Sequence, residues 1–125
     1  MMRLGADMEL AEARRFAAEC ERDWNAHDLD ALLAHYRDDV IFSSPVAGRL
    51  IPGSGGVIRG KAALREYFAE GLRLIPGLHF EVLNLFVGVE TLVIEYRNQD
   101  GGRVAEVLTF DGALVAGGHG TYLDS

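Results

Sequence analysis

The sequence predicts an α+β domain with helices first and an antiparallel sheet after them, and three observations carry that reading. Two stretches, 9–24 and 61–74, place apolar residues three and four apart, as amphipathic helices do. From residue 79 onward the pattern changes to β-prone runs separated by short turns. Two of those turns, Asp100-Gly101 and Asp111-Gly112, are dipeptides that favour hairpins. Helices followed by strands pack as layers, with the helices on one face of the sheet.

Each element has its own signal. In the first helix Leu10, Ala13, Ala17, Cys20 and Trp24 form the apolar stripe, with Glu12, Arg14, Glu19, Glu21 and Arg22 mostly on the other side. Asn25-Ala26-His27-Asp28 reads as a helix stop followed by an Asp N-cap, because Leu29, Leu32, Leu33 and Tyr36 start a second periodic segment at once. That second helix carries His35. Val40-Ile41-Phe42-Ser43-Ser44 is a short strand that Pro45 ends or holds at a sheet edge. Residues 46–58, rich in Gly with Pro52 and Ser54, read as a mobile loop that can serve as a lid. A third helix over 61–74 stops at Pro76-Gly77, and strands are predicted at 79–87, 90–98, 103–110 and 113–122.

Composition bounds the function. With 125 residues the chain makes one domain, predicted over 9–125 behind a flexible 1–8 segment. Twelve Lys and Arg against nineteen Asp and Glu give a net charge of −7, which disfavours nucleic acid and anionic membrane as partners. No uncharged run approaches the roughly eighteen residues of a membrane helix. The first ten residues carry Arg3, Asp7 and Glu9 and no signal-like apolar stretch, so a cytoplasmic location is expected. The single cysteine, Cys20, forms no internal disulfide and no cysteine metal site, and its place on an apolar helix face favours an inert thiol. No P-loop, zinc helix, nucleophile elbow or dinucleotide fingerprint occurs, so neither a metal nor a cofactor is expected.

The hairpin turns allow a finer expectation. With Asp100-Gly101 at the tip and Asn98 opposite Arg103, Arg97 faces Val104 and Glu95 faces Glu106 on one side of the sheet. With Asp111-Gly112 as a two-residue turn, Gly117 faces Glu106 and His119 faces Val104. Glu95, Arg97, Glu106 and His119 then cluster, with Gly117 leaving room for a ligand. Opposed glutamates hold a cation between them or keep a proton, and either condition suits acid–base work. The plain alternative is a solvated ion cluster in which Arg97 neutralises both glutamates, and a β-bulge would dissolve the arrangement. Both sheet faces are largely apolar, so the face away from the helices needs a cover, most simply a second copy of the chain.

Three stretches carry a family resemblance: Trp24 to Leu32, Tyr36 to Val40, and Ile58 to Phe68. They are similar to the recurring signatures of NTF2-like proteins, closest to the SnoaL-like branch. The resemblance implies a cone-shaped barrel in which three N-terminal helices close a strongly curved antiparallel sheet around a pocket. It also implies a homodimer across the outer sheet face and a small hydrophobic ligand. Ketosteroid isomerases in this superfamily use a helix tyrosine, an aspartate before proline and a protonated strand aspartate. Here those positions hold Cys20, Ser44 and Glu106, of which only Glu106 keeps suitable chemistry. Glu95-X-Arg97 with Glu106 is similar in composition, not in order, to the Asp-Arg-Asp set of limonene-epoxide hydrolases. The resemblance thus implies cofactor-independent isomerase, cyclase or hydrolase chemistry. Glu106 would be the acid or base, Glu95 would tune it, and Arg97 or His119 would stabilise negative charge. The expected pocket is formed by Cys20, Trp24, Phe42, Ser44, Tyr67 and Leu108. A non-catalytic ligand-binding or dimeric association module is the alternative.

Overall fold

The computed structural model describes residues 9–124, so the expectation for residues 1–8 lies outside the described residues. Helix α1 (Leu10–Asn25) buries Ala13, Ala17 and Cys20 on the predicted stripe. Its last turn explains what the Trp24–Asp28 stretch does. Asn25 Nδ2 donates to the Phe80 carbonyl at 2.9 Å, and Asn25 Oδ1 accepts from the Phe80 N–H at 2.8 Å. Glu21 Oε2 accepts from the Val82 N–H at 2.7 Å, so α1 grips the entry to the third strand at two places. His27 then turns the chain in the left-handed region at φ 56°, and Asp28 Oδ1 accepts from Ala31 N–H at 3.1 Å to cap α2 (Leu29–Leu33).

Helix α2 is shorter than predicted. Tyr36 opens strand β1 (Tyr36–Ser43), where it pairs with Val115, and His35 lies between the two elements. The Val115 N–H donates to the His35 carbonyl, and sheet pairing at this point overrides the helical spacing of the apolar residues. The predicted loop over 46–58 is also partly ordered into elements: α3 (Pro45–Leu50) and β2 (Val57–Arg59). Pro45 takes the first helical position, and Ser44 caps α3 by accepting from the Val46 N–H at 3.1 Å. The described residues therefore hold four helices, the fourth being α4 (Lys61–Leu74).

Strands β3 (Glu81–Gly88), β4 (Thr91–Arg97), β5 (Arg103–Asp111) and β6 (Leu114–Tyr122) form the predicted meander. The complete sheet runs β2-β1-β6-β5-β4-β3, curved and unclosed; β1 and β6 are parallel and the other neighbours antiparallel. Bulges in β1, β3 and β6 interrupt the ladders, and bulges sharpen twist and bend. Helix α1 packs on β3 and α4 on β1. Leu32, Leu64, Leu92, Leu108, Val40 and Val115 are fully buried between these layers.

Candidate functional site

The strand register decides which side chains meet. Ile94, Glu106 and Gly120 lie abreast on the inner face. Ser43 pairs with His119 in the parallel β1–β6 ladder, so Ser44 follows abreast of Gly120. Beside this row run Tyr96, Val104 and Tyr122, and on its other side Leu92, Leu108, Gly118, Phe42 and Ile58. Glu106 is thus the one carboxylate in three apolar and aromatic rows.

Above these rows opens a cavity of about 330 Å³. Trp24, Phe42, Tyr67, Phe68, Phe80 and Tyr96 form its aromatic wall, and Glu106 lies on its floor. Val46 and Leu50 of α3 line it on one side, so part of the predicted lid region contributes a rigid wall. Arg49, Asn98, Gln99 and Asp100 bring polar groups to the same cavity. Gly118 is required by close approach: a Cβ there would lie 2.7 Å from the Phe42 ring. The bare strand lets Phe42 lie flat against β6 and leaves the space above it open.

Burial raises the Glu106 carboxyl to about 7, against an ordinary value of 4.5; the Tyr96 O–H, donating to Oε2 at 3.2 Å, partly offsets this. A carboxyl with that midpoint is half protonated near neutrality and can take or give a proton. The phenols around it stay protonated: burial pushes Tyr96 well above its ordinary value and Tyr67 up to about 12. Glu106 also borders a second cavity of about 20 Å³, lined by Cys20, Trp24 and Tyr96, with room for one water. Burial, with Glu106 nearby, also pushes the Cys20 thiol up, so Cys20 stays protonated and unreactive.

A second polar group sits across strand β6 from Glu106. Tyr67 O–H donates to Ser44 Oγ at 3.2 Å, and Ser44 Oγ and Tyr122 Oη are 3.3 Å apart. Gly120 lies against this cluster: a Cβ on it would stand in ordinary contact, 3.4 Å from Ser44 Oγ and 3.7 Å from Tyr122 Oη.

The structure brings together Glu106, Trp24, Phe42 and Tyr67 at the main cavity, with Ser44 bonded to its wall. Cys20 borders the small cavity instead, and Leu108 is packed beneath the wall in the core. The predicted cluster is corrected. Glu95 pairs with Ala105, not Glu106, and lies on the outer face. There Asn84 Nδ2 donates to it at 2.8 Å and Arg103 pairs with it, and both hold its carboxyl below the usual range. Arg97 pairs with Arg103 in register and reaches Glu81 at 3.1 Å on the exposed surface. His119 pairs with Val107 and meets Ser43, again on the outer face.

The physical reason is one residue in each hairpin, in the loop of the first and in a bulge of the second. Asn98 N–H donates to the Gly102 carbonyl, and Asn98 Oδ1 accepts from the N–H groups of Asp100 and Gly102, so the loop has three residues, with Gly101 at φ 81°. A one-residue slip sends every side chain of β4 to the other face relative to β5. In the second hairpin Asp111 pairs with Leu114, and a bulge at Ala116 then adds a further residue. Without that bulge His119 would face Glu106; with it, Gly120 does. Tyr96 and Tyr122 were missed as cavity residues for the same reason, and Phe80 because its place is set by the distant Asn25. The signal that could have found Tyr96 is Asn98 itself, whose side chain can close a three-residue loop around Gly101.

Among the described residues no group of three or more His, Cys, Asp or Glu side chains is arranged to hold a metal ion, and no helix is long and apolar enough to cross a membrane. A family model for the SnoaL-like domain matches residues 13–118. A SnoaL-like protein of unknown function from Burkholderia thailandensis E264 is 37% identical, with 95% of this chain and 100% of that chain covered and a TM-score of 0.89. The fold is shared with TerC, co-crystallized with polyporic acid, at 14% identity, 90% and 92% coverage and a TM-score of 0.74. It is shared also with a putative polyketide cyclase from Sinorhizobium meliloti, at 12% identity, 86% and 94% coverage and a TM-score of 0.70. No curated protein matches the sequence at a significant level.

Proposed function

This chain belongs to the SnoaL-like domain family, and we propose that it binds a small hydrophobic carbonyl compound in its cavity and exchanges a proton with it through Glu106. The observation that carries this reading is a carboxyl with a midpoint of about 7 on the floor of an aromatic cavity. An apolar ring system fits the aromatic wall, and the cavity lies within the size range of small-molecule sites. Glu106 as carboxylate takes a proton from the carbon beside the carbonyl, the C–H pair forms the C=C bond of an enolate as the carbonyl π pair moves onto oxygen, and the Glu106 carboxyl, whose proton exchanges with solvent, returns a proton to the enolate. Such chemistry is of the isomerase or cyclase type and draws on no redox partner. That TerC, which shares this fold, was crystallized with polyporic acid supports an organic ligand here.

The test is deuterium uptake. Incubated in D2O with 2-acetylnaphthalene, the protein is expected to exchange the ketone's methyl protons faster than its Glu106→Gln variant, read by NMR. Equal rates in the two proteins would remove Glu106 from the chemistry.

The outer sheet face supports the pairing of two copies. Phe86 and Ile41 are 59% and 44% exposed there, and Val93 and Val107 lie in the row of Phe86. We propose a two-fold dimer across this face, which would leave each cavity open on the opposite side.

A further inference from the structure

The hydroxyl group cluster beside Glu106 contains three protons and makes two internal hydrogen bonds, Tyr67 to Ser44 and Ser44 to Tyr122. One proton is left over from these two bonds, open to a ligand or to the neighbouring tyrosine hydroxyl. Ser44 Oγ has two lone pairs, and the Val46 N–H already occupies one at 3.1 Å as the cap of α3. It can therefore accept from only one tyrosine and must donate to the other. The Tyr67 O–H donates to Ser44, so Ser44 donates to Tyr122 and the unspent proton is on Tyr122. Both tyrosines line the cavity, but Tyr67 is buried whereas Tyr122 is half exposed at its wall. A donor that is itself accepting a hydrogen bond is polarised and strengthened.

We infer that Tyr122 is the specificity-determining donor of this site, selecting apolar ligands that present a hydrogen-bond acceptor oxygen across strand β6 from Glu106. The inference rests on the cavity being a ligand site, as proposed above, and adds the polarity of what enters it. Strand β6 lies between Glu106 on β5 and Ser44 on β1, two strand intervals or about 9.6 Å, and Glu106 and Tyr122 both line the cavity, so one small molecule can meet both. The selected class is ketones, esters and quinone-like rings; hydrocarbons of the same shape lack the acceptor. The acceptor preference expected from one neutral hydrogen bond is roughly tenfold.

The experiment compares 2-acetylnaphthalene with 2-ethylnaphthalene, which lacks the oxygen, by titration calorimetry against three proteins: wild type, Tyr122→Phe and Tyr67→Phe. Wild type is expected to prefer the ketone roughly tenfold. Tyr122→Phe is expected to lose that preference while keeping its affinity for the hydrocarbon, and the carbonyl stretch of bound ketone should rise toward its value in apolar solvent. Tyr67→Phe frees a lone pair of Ser44 to which Tyr122 can then donate, so it should lower the preference only in part, and less than Tyr122→Phe does. If both probes bind wild type equally, the donor inference is overturned and the cavity reading stands. Loss of the preference in Tyr67→Phe but not in Tyr122→Phe would overturn the assignment to Tyr122. Failure of both probes to bind any of the proteins would sink the cavity reading and this inference with it.

Discussion

Replacing Glu106 with Gln tests the burial argument without any substrate. In the folded chain the Glu106 carboxyl titrates at about 7, against an ordinary 4.5. Below pH 4.5 it is protonated in both the folded and unfolded states and makes no pH-dependent contribution. Between those values the folded chain binds a proton that the unfolded chain releases, so stability falls as pH rises. Above pH 7 the carboxylate is charged inside an apolar cavity, and the full cost is about 3 kcal/mol. Gln has the same shape, carries no charge, and still accepts from Tyr96. For a domain of this length, an unfolding entropy of about 2.1 cal/mol/K per residue turns that energy into a melting difference of about 10 °C. Melting curves followed by circular dichroism should show Glu106→Gln close to wild type near pH 4.5 and about 10 °C above it at pH 8.5. Subtracting the two proteins cancels the histidines and surface carboxylates, which titrate equally in both. A difference that stays constant across this pH range would refute the argument that burial raises Glu106.

Three further outcomes follow from the packing. Gly118→Ala drives a methyl group to within 2.7 Å of the Phe42 ring and 3.2 Å of Leu108, and thermal melts should show a loss of about 1–3 kcal/mol from overpacking. Asn25→Ala removes both hydrogen bonds to Phe80 and leaves half-buried backbone groups unpaired; urea unfolding should show a loss of about 1–3 kcal/mol, with faster amide exchange at Phe80 and Val82. Phe86→Lys places a charge on the exposed outer face, and sedimentation equilibrium should show wild type as a dimer and the variant as a monomer at the same concentration. A monomeric wild type would remove the dimer proposal.

Much of the fold was legible because its signals are local. The α1 stripe of Ala13, Ala17 and Cys20 follows the helical period, and the strands between Glu81 and Tyr122 lie within a residue or two of their predicted bounds. The end of α2 at Leu33 was not legible, since only pairing with Val115 on β6 pulls Tyr36 into a strand. Helix α3 was hidden among glycines, although Ser44-Pro45 carries the cap and first-position signals that start it. Glu106, Trp24, Phe42 and Tyr67 line the candidate cavity, at positions where apolar pattern and family resemblance both point inward.

Sequence alone therefore determined the class of domain, the order of its elements, its acidic surface and the candidate carboxylate. Tertiary structure alone decided which groups stand beside that carboxylate. Side chains alternate faces with a period of two, so one extra residue in the Asn98–Gly102 loop and one bulge at Ala116 exchange Glu95, Arg97 and His119 for Tyr96, Gly120 and the Ser44 hydroxyl cluster. Composition does not encode that parity, because turn length and bulge position are settled by hydrogen bonds that close only when the strands meet.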